Sequence, residues 1–115
     1  MKEFIKQLFS SRKDEIEVEP VDLNNAVRKK ITVSGRVQGV GFRMFTQGEA
    51  VKLRLTGWVK NLNNGDVTME VQGAAEDIDE LIARLKKGTG FSKVTEIEIL
   101  ELEIDREEKK FAITY

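Results

Sequence analysis

The sequence predicts an α+β fold, in which one antiparallel sheet of about five strands carries two helices on one face. Three observations predict it. Short runs of alternating apolar residues recur along the chain, with the period of two that marks half-buried strands. Two stretches with helical spacing interrupt them, giving the order strand, helix, strand, strand, helix, strand, strand. The 115 residues, 40% of them hydrophobic, suit one domain with one small core.

Each element has its own signal. Residues 1–27 read as an N-terminal extension. Phe4, Ile5, Leu8 and Phe9 fall at helical spacing, so a short amphipathic helix over about residues 2–11 is expected, followed by a charged linker from Arg12 to Glu19 and the only proline, Pro20. The folded domain is expected over 28–115. Ile31 and Val33 alternate in its first strand, and 44–53 form the first helix, with Gly48 an unfavourable residue inside it. The second strand runs from Gly57 to about Leu62. Asn64-Gly65 predicts a two-residue hairpin of type I′, and Val67, Met69 and Val71 alternate in the third strand. Ile78, Leu81, Ile82 and Leu85 line one side of the second helix, which has acids at its start, lysines at its end and Gly88 after it. The fourth strand changes phase: Ile97 and Ile99 share one parity, and Leu100, Leu102 and Ile104 the other. A β-bulge near Ile99-Leu100 is the expected remedy. Phe111, Ile113 and Tyr115 alternate in the last strand. This βαββαβ order, with a further strand, is the ferredoxin-like arrangement, an architecture that hosts many functions.

Composition narrows the chemistry. The chain has no histidine and no cysteine, which argues against a zinc site, a histidine base, a cysteine nucleophile and disulfides. Nineteen basic and twenty acidic residues leave a net charge of −1, so no global nucleic-acid footprint is expected. An RNA-recognition reading of the same element order would need exposed aromatics on the central strands, and Asp66–Val71 has none. The carboxylates between Glu96 and Glu103 alternate and read as the wet side of a strand. No apolar run approaches a membrane span and no signal peptide opens the chain, so a cytoplasmic location without stable membrane insertion is expected.

The chemistry-bearing stretch is Ser34-Gly35-Arg36-Val37-Gln38-Gly39-Val40-Gly41-Phe42-Arg43, which joins the first strand to the first helix. Gly39 and Gly41 allow unusual dihedrals and leave backbone amides uncovered. Converging amides, a helix N-terminus and the planar fork of Arg43 are the parts of an anion cradle. By itself the loop is equally readable as a tight connection with an exposed arginine. The next strand opens with Gly57-Trp58-Val59-Lys60-Asn61. Trp58 is expected in the core, with the pocket wall as the other reading, and Lys60 on the face opposite Asn61.

The pairing of Gly-Arg-Val-Gln-Gly-Val-Gly-Phe-Arg with Gly-Trp-Val-Lys-Asn closely resembles the acylphosphatase family. The resemblance continues through Asn64-Gly65, Val71-Gln72-Gly73 and Phe111–Tyr115, and covers roughly residues 28–115. It implies hydrolysis of the carboxyl–phosphate anhydride of an acyl phosphate. It also implies that the loop Gln38, Gly39, Val40, Gly41, Phe42 and Arg43 binds phosphate through its amides, that Arg43 clamps the phosphate oxygens, and that Asn61 orients the attacking water. No cofactor or metal is expected. The expected partners are a small acyl phosphate and a phosphate or sulfate anion in the site, and the expected state is a monomer. A non-catalytic phosphate-binding or regulatory module is the alternative.

Overall fold

The computed structural model describes residues 14–115. The helix expected over about residues 2–11 lies outside them. In chain order the elements are β1 (Glu15–Glu17), a single 3-10 turn (Leu23–Asn25), β2 (Ala26–Arg36), α1 (Phe42–Lys52), β3 (Thr56–Asn61), β4 (Val67–Ala74), α2 (Ala75–Lys87), β5 (Lys93–Leu102) and β6 (Lys110–Thr114). The α+β fold class holds, with two helices against one sheet. The sheet has six strands in the order β1-β6-β3-β4-β2-β5. It is mixed rather than wholly antiparallel, because β6 runs parallel to β3. The sixth strand is β1, from the segment that the sequence assigns to the extension. It pairs antiparallel with β6, Ile16 opposite Phe111.

The parallel pair results from the way the chain crosses the sheet. β5 ends at one edge and β6 begins four strand positions away. The seven residues between them reach at most ~24 Å, and four inter-strand steps need ~19 Å, so the crossing must be nearly straight. Two buried polar residues fasten it. Arg28, only 6% exposed, donates to both carboxylate oxygens of Glu108 at 2.7 and 3.1 Å and pairs with Glu70 at 3.0 Å. Gln72 exchanges two hydrogen bonds with the backbone of Asp105, at 2.9 and 2.7 Å.

Ile31 and Val33 of β2, Val59 of β3, Val67, Met69 and Val71 of β4, and Phe111 of β6 are all fully buried. They meet Phe42 and Ala50 of α1 and Ile78, Leu81 and Leu85 of α2. The alternation legible in the sequence therefore faces the helices. α1 lies over β3 and β6, and α2 over β4 and β5.

Three local expectations are corrected. The bulge lies between β2 and β5 where Ser34 pairs with Glu96 and Gly35 with Val94, skipping Thr95; none lies at Ile99-Leu100. β5 is an edge strand, so its apolar residues need not all be covered: Ile99, Leu100 and Leu102 are exposed. The β3–β4 hairpin is not a two-residue type I′ turn. Leu62 N–H donates to Asp66 O at 2.8 Å and Gly65 N–H to Leu62 O at 3.2 Å, and Gly65 has φ 99° while Asn64 has an ordinary negative φ. This is a three-residue loop with glycine in the left-handed position. Trp58, expected in the core, is half-buried on the sheet face away from the helices, against Ala112 and Thr114.

Candidate active site

β2, β3 and β6 all run toward the same end of the sheet, and the site is built there from the residues at and just beyond their C-terminal ends. Beyond β2, the fully buried Val37 fixes the foot of the loop. Gly39 and Gly41 then adopt φ values of 74° and 76°, a left-handed conformation that a side chain would strain. Gly41 is the N-cap of α1, and its carbonyl accepts the first helical hydrogen bond, from Phe45 N–H at 3.0 Å. Phe42, 1% exposed, plants the first turn in the core. Among the described residues no side chain caps this helix, and its first turn has no acid, so the leading amides and the positive end of the helix dipole stay available to an anion.

Arg43 comes next, in the first turn. Its guanidinium donates through Nη1 to Thr114 O at 3.2 Å and lies 4.7 Å from the centre of the Tyr115 ring. The end of β6 thus holds one edge of the fork and leaves the other donors for a ligand. Asn61 is the last residue of β3 and pairs with Val67. Its side-chain Oδ1 is buried and has no hydrogen-bond partner among the described residues.

These groups share a pocket of about 210 Å³. Gly39, Gly41, Phe42, Arg43 and Asn61 line it, and Val37, Met44, Ile113 and Tyr115 complete the wall. Among the described residues Arg43 is the single charged side chain on that wall, so the pocket is polarised for an anion. Met44 and Tyr115, 58% and 77% exposed, give it an apolar rim. Of the residues singled out in the sequence, Gln38 and Val40 do not line the pocket. The Gln38 amide turns instead to the β3–β4 hairpin, donating to Leu62 O at 2.7 Å and Asp66 O at 2.8 Å. Lys60 is exposed and faces away from Asn61, as strand alternation requires.

Three contributors escape the sequence: the Thr114 carbonyl, the Tyr115 ring and Met44. Tyr115 left a signal, since it shares the parity of Phe111 and Ile113 and therefore their side of the sheet. The Thr114 carbonyl left none, because any residue supplies one.

The acylphosphatase family model matches residues 29–113, which contain the loop, the helix N-terminus and Asn61. The chain belongs to the acylphosphatase family. An acylphosphatase of Clostridium beijerinckii is 51% identical over 89 residues, covering 77% of this chain and 99% of the relative. One of Geobacillus kaustophilus is 47% identical, covering 76% and 94%. The crystal structure of the acylphosphatase from Bacillus subtilis superposes with a TM-score of 0.74 at 42% identity, covering 77% of this chain and 99% of that one. The family match begins inside β2, so β1 lies outside the matched acylphosphatase region, as does Tyr115.

Proposed function

We propose that this member of the acylphosphatase family hydrolyses acyl phosphates in the Arg43–Asn61 pocket. The phosphoryl group rests on the amides of the loop and first helical turn, with the free edge of the Arg43 fork on its oxygens. Asn61 Oδ1 accepts a hydrogen bond from the attacking water. The water oxygen forms a bond to phosphorus as the bond from phosphorus to the acyl oxygen breaks. The electron pair leaves with the carboxylate, and the water's proton passes to a phosphate oxygen, because a neutral carboxamide cannot act as a base at ordinary pH. Carboxylate is a good leaving group, so positioning and charge stabilisation carry the acceleration. No metal takes part. The acyl group lies along Met44 and Tyr115.

The observation that carries this reading is the Asn61 acceptor, buried without a hydrogen-bond partner among the described residues, on a residue that lines the same pocket as the uncapped helix end and Arg43. Buried acceptors are rarely left unpaired, and the residue that carries this one lines the pocket. The reading takes the protein to work as a cytoplasmic monomer, with phosphate or sulfate competing for the cradle.

The test is release of phosphate from benzoyl phosphate, with and without chelator, beside a phosphate monoester. We expect turnover that is indifferent to chelator, competitively inhibited by inorganic phosphate, and nearly absent on the monoester. Activity lost in chelator and restored by a divalent ion would refute the mechanism. Phosphate binding without turnover would make the protein a non-catalytic module.

A further inference from the structure

Gln38 sits in the cradle loop and yet does not face the pocket. Its side-chain nitrogen donates to Leu62 O at 2.7 Å and to Asp66 O at 2.8 Å. Those carbonyls frame the mouth of the hairpin: Asp66 O also accepts from Leu62 N–H, and Leu62 O from Gly65 N–H. Each carbonyl has two lone pairs, so one amide group ties both arms to the cradle without displacing the hairpin's own bonds. Among the described residues no other side-chain hydrogen bond joins residues 37–41 to residues 61–66. Leu62 directly follows Asn61, and Gly39 directly follows Gln38. A short bridge therefore runs from the phosphate cradle, through the Gln38 amide, to the residue beside the water-holding acceptor.

We infer that Gln38 is a positioning residue: its side-chain amide fixes Asn61 relative to the cradle, and so sets the line along which water approaches phosphorus. This rests on the reading of Asn61 given above. The bridge is anchored in the cradle loop but bonds neither Arg43 nor the loop's amide N–H groups, so the consequence falls mainly on turnover, with phosphate binding little changed. The bridge requires two N–H donors at the length of a glutamine. Methionine keeps the length and has no donor. Glutamate keeps the shape and sets a carboxylate against two carbonyl oxygens.

The experiment compares Gln38→Met, Asn61→Ala and the double variant, measuring kcat on benzoyl phosphate and competitive inhibition by inorganic phosphate. Misplacement of a reacting group by about an ångström lowers turnover up to ~100-fold, so Gln38→Met should lose roughly tenfold or more in kcat, with phosphate inhibition within about twofold. In the Asn61→Ala background the same substitution should change little, since the group it positions is gone. Gln38→Glu is the second variant, should Gln38→Met fail to fold. It should lose kcat at neutral pH and recover part of it as the pH falls into the carboxyl range, where the neutral acid again offers a donor. Wild-type kcat for Gln38→Met or for Gln38→Glu at neutral pH would overturn the proposal. So would phosphate inhibition that weakens in step with kcat, or an equal loss of kcat with and without Asn61. Wild-type turnover by Asn61→Ala alone would instead overturn the water-holding reading, and the positioning role with it.

Discussion

Asn61→Ala separates turnover from both phosphate binding and stability. Among the described residues nothing hydrogen-bonds to the buried Oδ1 of Asn61, and Asn61 lines the pocket. Removing this acceptor breaks no hydrogen bond among them, so stability should change by less than about 1 kcal/mol and Tm by no more than ~4–8 °C for a domain of this size. The loss falls on the water. One neutral hydrogen bond is worth about 1 kcal/mol, and loss of orientation about another 2–3, so kcat should fall ~10²–10³-fold. Arg43→Ala works differently. It removes up to two charge-assisted bonds to an anion already present in the ground state, at ~1.5–3 kcal/mol each, so kcat/KM should fall ~10²–10⁴-fold with much of the loss in binding. The assay is steady-state hydrolysis of benzoyl phosphate with inorganic phosphate as inhibitor, beside a thermal melt of each variant. An Asn61→Ala enzyme within about threefold of wild-type kcat, or one whose phosphate affinity falls in parallel with kcat, would refute the reasoning.

Three further outcomes are expected. Gly48→Ala should stabilise the protein by about 1 kcal/mol, seen as a higher Tm, because the added methyl in the middle of α1 meets nothing within 4 Å and alanine is the better helix former; a lower Tm would refute it. Met44→Ala should lower kcat/KM for benzoyl phosphate about fivefold while sparing acetyl phosphate, since ~1 kcal/mol of apolar contact is lost only by the larger acyl group; equal effects on both substrates would exclude Met44 from the acyl side of the pocket. The third concerns acid stability. Burial pushes the Glu49 carboxyl up, but hydrogen bonds and charge attraction from Lys52 and Arg84 outweigh it and hold it below its ordinary value. The folded state therefore favours the carboxylate, and the stability this adds is complete above the unfolded carboxyl range near ~4.3 and is lost as the pH falls through the lower folded value. The stability gap between wild type and Glu49→Gln should be constant from about pH 6 to 8 and narrow below about pH 4.5 in urea melts; a gap that widens in acid would reverse the sign.

What the sequence determines by itself is local. Period-two alternation placed Ile31, Val33, Val67, Met69 and Val71 on the core side of their strands, because a strand buried on one face admits no other pattern. The spacing of Ile78, Leu81 and Leu85 did the same for α2. The glycines before Phe42 announced a backbone that only glycine adopts without strain, directly before a helix. Arg43 and Asn61 stood out through the motifs around them, and tertiary structure brings the two into one pocket.

Tertiary structure alone decided the rest, because it depends on which distant segments meet. An edge strand tolerates apolar residues on both parities, so the phase change in β5 says nothing about a bulge until β5 is known to be an edge. Trp58 is apolar enough for the core, yet its parity follows Glu70 on the far side of the sheet. The three residues of β1 look like charged linker, and become a strand only because the free edge of β6 offers unpaired N–H and C=O groups. Gln38 reads as part of a phosphate loop until the hairpin carbonyls of Leu62 and Asp66 arrive beside it. Arg43 is aimed by the carbonyl of Thr114, more than seventy positions away in the chain and adjacent only because β6 lies beside β3. Backbone carbonyls carry no sequence signature, so contacts made through them become visible only once the chain has folded.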